Sequence, residues 1–195
     1  SLALGALMAF VITGSAMAAK NLVSGGDAIG VGDYVVKTDV EISGSQKPMM
    51  GYQNLGNPGA SGFVKVNVND GKMLTVISNN GVTGVDTTGA VSNVIITGNG
   101  IIDIQGKGNA SGLGYGAINE IVAQSINISS DNAWGVYTGW GNTEKQTLSA
   151  DTITISGAKH TVYSAKGNIT IKDFNLLTVN GNNDAGGLVS DEDGT

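Results

Sequence analysis

The chain contains no arginine and no cysteine, and each absence excludes chemistry. All ten basic residues are lysine, and the net charge is −6. A nucleic-acid binder needs a basic stripe with guanidinium forks for phosphate and guanine, so nucleic acid is excluded as a partner. Without cysteine the fold must rest on burial and backbone ladders, because disulfides and thiolate-bound metals are unavailable to it. Proline occurs only 2 times, aromatic residues make up 5% of the chain and charged residues 13%. Disordered chains are usually more charged and less β-branched than this, so disorder is excluded for most of the length. What is present is glycine, at 31 residues, and a 41% hydrophobic fraction made mainly of Val, Ile, Leu and Ala. With abundant Thr, that mixture suits pleated, half-buried surfaces.

The N-terminus reads as an export signal. Ser1 to Ala19 carries no charge, and Leu2 to Ile12 is an apolar run of secretory length. Small residues follow, and Ala16-Met17-Ala18 fits the cleavage pattern, placing the cut at Ala18 and Ala19. Gly14 and Ser15 interrupt the run too early for a membrane span of about 20 residues. The expected organisation is a signal peptide over 1–19 that lacks its start, a Gly-rich lead-in and cap over 20–62, and repeats over 63–195 cut short at their C-terminal end.

The mature part keeps rewriting one short strand. In Asp151-Thr-Ile-Thr-Ile-Ser-Gly, Ile153 and Ile155 point to one side and Thr152, Thr154 and Ser156 to the other. Gly167-Asn-Ile-Thr-Ile-Lys repeats the pattern with Ile169 and Ile171. Ser125–Gly139, Thr152–Ala165 and Asn168–Gly181 align as three such units, with 144–150 as extra loop between the first two. Val36, Thr38, Val40 and Ile42 form one amphipathic strand, and Val64, Val66 and Val68 another. Val94 to Thr97 and Ile101 to Ile104 read as a pair joined by the turn 98–100, and Ile118 to Gln124 is the one helical candidate. A unit this short cannot bury its own apolar face, so stacking into a solenoid is expected. The fold class is all-β, a parallel β-helix after the signal peptide; the alternative is an antiparallel β-sandwich.

The signal ending Ala-Met-Ala-Ala, the Gly-rich lead-in, Ala150-Asp-Thr-Ile-Thr-Ile-Ser and Gly167-Asn-Ile-Thr-Ile-Lys together resemble the passenger region of bacterial autotransporter adhesins and of filamentous-haemagglutinin-like surface proteins. The resemblance covers the signal and about 63–181. It implies a right-handed parallel β-helix, type V secretion to the outer membrane and cell surface, and adhesion to a host-cell receptor, glycan or extracellular matrix. It also implies a translocator β-barrel in a missing C-terminal part; the chain ends instead at Asp191-Glu-Asp-Gly-Thr195. The alternatives are a non-adhesive, S-layer-like surface scaffold and, last, a polysaccharide-acting enzyme on the same solenoid.

No catalytic residue, cofactor site or metal site is expected. His160 is the sole histidine, and triads, zinc sites and acid–base pairs need partners it lacks, so it reads as a solvated turn residue. Glycoside hydrolysis needs paired carboxylates, and Asp103, Asp151 and Asp173 show no Asp-Asp or Gly-His-Gly setting. Gly25-Gly-Asp27 and Gly30-Val-Gly-Asp33 miss the calcium-repeat spacing, and Gly112-Leu-Gly-Tyr-Gly116 has no strand–helix context for a phosphate. Trp134, Tyr137 and Trp140 form the one aromatic concentration, suited to stacking on sugars or receptor side chains. Trp134 is expected in a core column with Val136 and Ile126. Trp140, between two glycines, and Tyr115 in the 107–116 loop are the candidate surface contacts.

Overall fold

A computed structural model describes residues 18–26, 28–45, 48–52, 57, 59, 62–79, 89–114, 118–139, 141–181 and 186–194. The expected signal peptide over 1–19 lies almost wholly outside the described residues.

The alternating segments become strands in which apolar and polar residues segregate to two sides. In chain order these are β1 Lys20–Asn21, β2 Gly32–Val36, β3 Val40–Gly44, β4 Met49–Met50, β5 Val64–Val68, β6 Met73–Ser78, β7 Gly89–Ser92 and β8 Val94–Gly98. They continue with β9 Ile101–Gly106, β10 Ser111–Leu113, β11 Ile118–Ser130, β12 Val136–Thr138, β13 Lys145–Gly157, β14 Val162–Lys172, β15 Leu176–Gly181 and β16 Leu188–Gly194. Every recorded pairing is parallel, including the two between strands adjacent in sequence, β1 with β2 and β13 with β14. That excludes the antiparallel sandwich. The fold is a parallel β-solenoid, each coil passing through three faces and stacking on the last at roughly 4.8 Å.

The first face contains β2, β5, β8 and the starts of β11 and β13, and ends on the second half of β14. The second runs through β3, β6, β9, the ends of β11 and β13, and β15. The third runs through β4, β7, β10, β12, the first half of β14 and β16. Strands β11, β13 and β14 therefore turn a corner without losing strand geometry.

The core is a set of columns. Tyr34, Val66, Ile96, Ile121, Leu148 and Ile171 stack on the first face. On the second, Ile42, Val76, Ile104, Ile128, Ile155 and Val179 stack. Met49, Val91, Leu113, Val136, Val162 and Leu188 complete the third. The middle members of each column are fully buried. Corners need tight backbone, as at Gly98, whose φ of +118° and contact with the Val68 carbonyl leave no room for a side chain.

The interior also holds polar groups, and three of them are hydrogen-bonded inside. Asn119 and Gln146 occupy an inward column position between Val94 and Ile169 and are fully buried. Asn119 Oδ1 accepts from Val94 N at 2.9 Å, and its Nδ2 donates to Gln146 Oε1 at 2.7 Å. Asn93, in left-handed backbone with φ 58°, donates from Nδ2 to the Gly62 carbonyl at 2.8 Å and to the Tyr52 carbonyl, while its Oδ1 accepts from Ile118 N at 3.2 Å. Buried polar groups persist when every partner is supplied, and these three tie successive coils together.

Several details of the expected organisation are corrected. The strand expected from Val36 to Ile42 is two strands, β2 and β3, on different faces, with exposed Thr38 at the corner. Ile118 to Gln124 lies within β11 rather than a helix, and the expected extra loop over 144–150 contains the start of β13. The pair around 98–100 is no hairpin: β8 and β9 sit on different faces and pair with β5 and β6. The third aligned unit is shifted by one face. Ile169 and Ile171 pair with Gln146 and Leu148, whereas Ile153 and Ile155 pair with Leu177 and Val179.

Candidate functional site: an aromatic cluster outside the third face

Because the inward positions of the third face are filled by aliphatic and small polar residues, its aromatic residues stand outside. Val136 faces the core from β12, and its neighbour Tyr137 therefore faces outward by the alternation of the strand. Parallel register then sets Tyr163 of β14 beside Tyr137, one coil further on. The two rings have centroids 5.7 Å apart. Trp134, in the turn before β12, folds across both, at 4.4 Å from Tyr137 and 5.9 Å from Tyr163, with interplanar angles of 21° and 20°. Contacts of this geometry each contribute about 0.5–1.5 kcal/mol beyond area burial.

The turn between β13 and β14 supplies the rest. His160 packs at 5.0 Å from Tyr163, and exposed Lys159 places Nζ 4.4 Å from the Trp134 ring centroid. An ammonium at this position is attracted by the ring quadrupole. Gly139 has a steric role here, since a methyl group in place of its hydrogen would run into the Tyr137 hydroxyl. Nearby, fully buried Glu144 accepts the Gly139 N–H at 3.0 Å through Oε2, and its own amide donates to the Gly141 carbonyl at 3.1 Å. This carboxylate fixes the turn that borders the cluster.

The Nε1 of Trp134 and the Nδ1 of His160 are buried without a hydrogen-bond partner. Leaving such groups unpaired costs about 1–3 kcal/mol each. The cluster thus combines stacked ring faces and one exposed ammonium at its surface. That chemistry suits a partner offering C–H faces and oxygen atoms.

The expectation for Trp134 is corrected. It does not share a column with Val136 and Ile126; it is half-buried outside the third face, while Ile126 belongs to the second. His160 is half-buried against Tyr163 rather than freely solvated. Trp140 and Tyr115, the candidate contacts expected from sequence, lie outside the described residues. Ala18 and Ala19, at the expected cleavage point, are exposed. Tyr163 was the residue sequence reading missed. The signal that could have found it is the equal placement of Val136-Tyr137 and Val162-Tyr163 in consecutive coils.

Two of the carboxylates singled out from sequence, Asp103 and Asp173, are engaged elsewhere. Asp103, outward on β9, accepts from Asn127 Nδ2 at 2.6 Å on one oxygen and from Gln105 Nε2 at 2.6 Å on the other. Asp173 accepts from Ser149 Oγ at 3.2 Å and lies 3.8 Å from Lys172 Nζ, an exposed pair of little energetic weight. Among the described residues, no group of three or more His, Cys, Asp or Glu side chains is placed to hold a metal ion.

No protein-family model, no curated protein and no solved structure matches this chain.

Proposed function

We propose that this chain is part of an exported bacterial surface protein, the passenger of an autotransporter adhesin that mediates attachment. The observation that carries the proposal is the ring cluster of Trp134, Tyr137 and Tyr163 outside a solenoid whose core columns are mainly aliphatic. Half-buried rings concentrated on one outer wall are of the type that dominates recognition surfaces. The export-like N-terminus and the absence of cysteine support the same reading, since a disulfide-free chain can cross an outer membrane unfolded. The partner is a host-cell receptor, a glycan or extracellular matrix, reached by stacking on the cluster, with Trp140 and Tyr115 as further candidate contacts.

A second reading, a non-adhesive surface scaffold, is favoured by the second face. Its outward register Thr75, Asp103, Asn127, Thr154 and Thr178 is a polar ladder. The complete reading frame separates the two. A C-terminal β-barrel segment supports the passenger, and a cell-wall anchor or surface-layer domain contradicts it. For attachment itself, Trp140→Ala is expected to weaken binding of the full passenger to host cells; a passenger that binds nothing favours the scaffold.

A further inference from the structure

The outward row of the third face sets two phenols side by side. Tyr137 and Tyr163 are direct parallel partners on adjacent coils, and each is half-buried, with part of it open to solvent. Parallel pairing holds their backbones about 4.8 Å apart, close enough for the two side chains to lie in contact. Their ring centroids are 5.7 Å apart and the planes are tilted by 35°. Within the row, Gly114 lies before Tyr137 and Val189 after Tyr163, so each tyrosine has the other as its one aromatic row neighbour. Trp134 packs over both rings and holds them as a pair. Tyr34 and Tyr52 stand elsewhere. Tyr34 lies between Lys20 and Val66 on the first face, and Tyr52 follows β4 and is 61% exposed.

We propose that Tyr137 and Tyr163 are a site of oxidative modification, where the two rings are joined as a dityrosine that ties one coil to the next. Each phenol gives up one electron and its hydroxyl proton and becomes a phenoxyl radical, whose unpaired spin is shared with the ring carbons beside the oxygen. One such carbon from each ring forms the new C–C bond. The hydrogens those carbons carried move to the oxygens and restore both phenols. The protein loses two hydrogen atoms in all; one hydrogen peroxide, acting through a peroxidase, takes them up and leaves as two waters. Coupling competes with every other fate of a radical, so it succeeds where the partner ring is already in place. Here the parallel register and Trp134 supply that placement without a diffusive encounter. In a cysteine-free chain the link is the counterpart of a disulfide, closing the segment between Tyr137 and Tyr163 and restricting the unfolded state. It stands on this geometry and does not depend on the rings binding a partner.

The test treats the full, folded chain with hydrogen peroxide and a haem peroxidase and, in parallel, with a small light-driven one-electron oxidant. Lys145 and Lys159 lie between the two tyrosines, so trypsin releases them in separate peptides, 108–145 and 160–166, unless they are joined. Mass spectrometry is expected to find these peptides linked with the loss of two hydrogens, at a yield independent of protein concentration. Fragment ions are expected to place the bond at Tyr137 rather than Tyr115. Tyr137→Phe and Tyr163→Phe keep a ring in the stack, and each is expected to remove the link; far-UV circular dichroism checks that both are folded. The urea midpoint of the oxidised parent is expected to rise, while that of oxidised Tyr163→Phe stays at its untreated value. A folded chain that gives no linked peptide under either oxidant overturns the proposal. So does a link that the light-driven oxidant forms as readily in chain unfolded by urea, one confined to products that grow with protein concentration, or one placed at Tyr115.

Discussion

Asn119 Nδ2 donates a 2.7 Å hydrogen bond to Gln146 Oε1 in the interior of the solenoid, linking one coil to the next where both neighbours in the column are aliphatic. Asn119 has a second duty, accepting the Val94 amide at 2.9 Å. Removing Asn119 thus orphans a backbone N–H and a side-chain amide together. Asn119→Leu is expected to cost about 2–4 kcal/mol and Gln146→Leu about 1–3 kcal/mol, read by urea denaturation. Equal and negligible losses would show that the two amides do not hold the coils in register.

Position within a column decides the cost of truncation. Leu148 is fully buried, and Ile171, one coil further along the same column, is only half-buried. Leu148→Ala is expected to cost about 2–5 kcal/mol, because it leaves a sealed cavity. Ile171→Ala is expected to cost roughly 1 kcal/mol, because no sealed cavity forms beside a face that water already reaches. Thermal or urea unfolding of the two variants checks the ratio.

The register of the second face can be tested by cross-linking, because a cysteine-free chain gives a clean background. Thr154 and Thr178 are direct parallel partners on adjacent coils. Their expected Cα separation of about 4.8 Å falls inside the disulfide range, so Thr154→Cys with Thr178→Cys should oxidise to a bridge. Thr154→Cys with Thr170→Cys should not, since Thr170 pairs with Thr147 on the first face. Mass spectrometry after mild oxidation separates the outcomes.

That contrast also marks how far the sequence carries. Period-two alternation at Ile153 and Ile169 reports strands and an apolar side, and this is enough to read a stacked all-β chain. It does not report which face a strand joins, because all three faces are written with the same Ile-x-Ile pattern. Alignment by pattern therefore matched Ile169 with Ile153, although their partners are Gln146 and Leu177 respectively. The start of β13 was hidden for another reason: its inward residues include Gln146, a polar side chain that burial normally rejects, so the segment resembles a loop. Trp134 was misplaced because a large apolar ring near Val136 looks like core. Only three-dimensional stacking of Tyr137 on Tyr163 shows that the rings have their own site outside.

Gly139 links that site to the fold. Gly139→Ala is expected to push the Tyr137 ring off Trp134 and to cost about 1–3 kcal/mol through overpacking. Near-UV circular dichroism from the stacked rings should fall while the far-UV β signal is retained. Unchanged near-UV intensity would mean that the ring arrangement does not depend on this glycine.

The central claim is that a β-solenoid stem makes contact through the rings outside its third face, and adhesion measures it most directly. Beads coated with the folded chain are applied to host epithelial cells and to immobilised matrix glycans, and compared with beads carrying Trp134→Ala, Tyr163→Ala and the polar-ladder control Thr154→Ala. The account predicts adhesion by the parent and by Thr154→Ala, with a loss of roughly tenfold or more for each ring variant, as expected for recognition hot spots. Adhesion left unchanged by both ring variants, or absent from the parent chain, would contradict it.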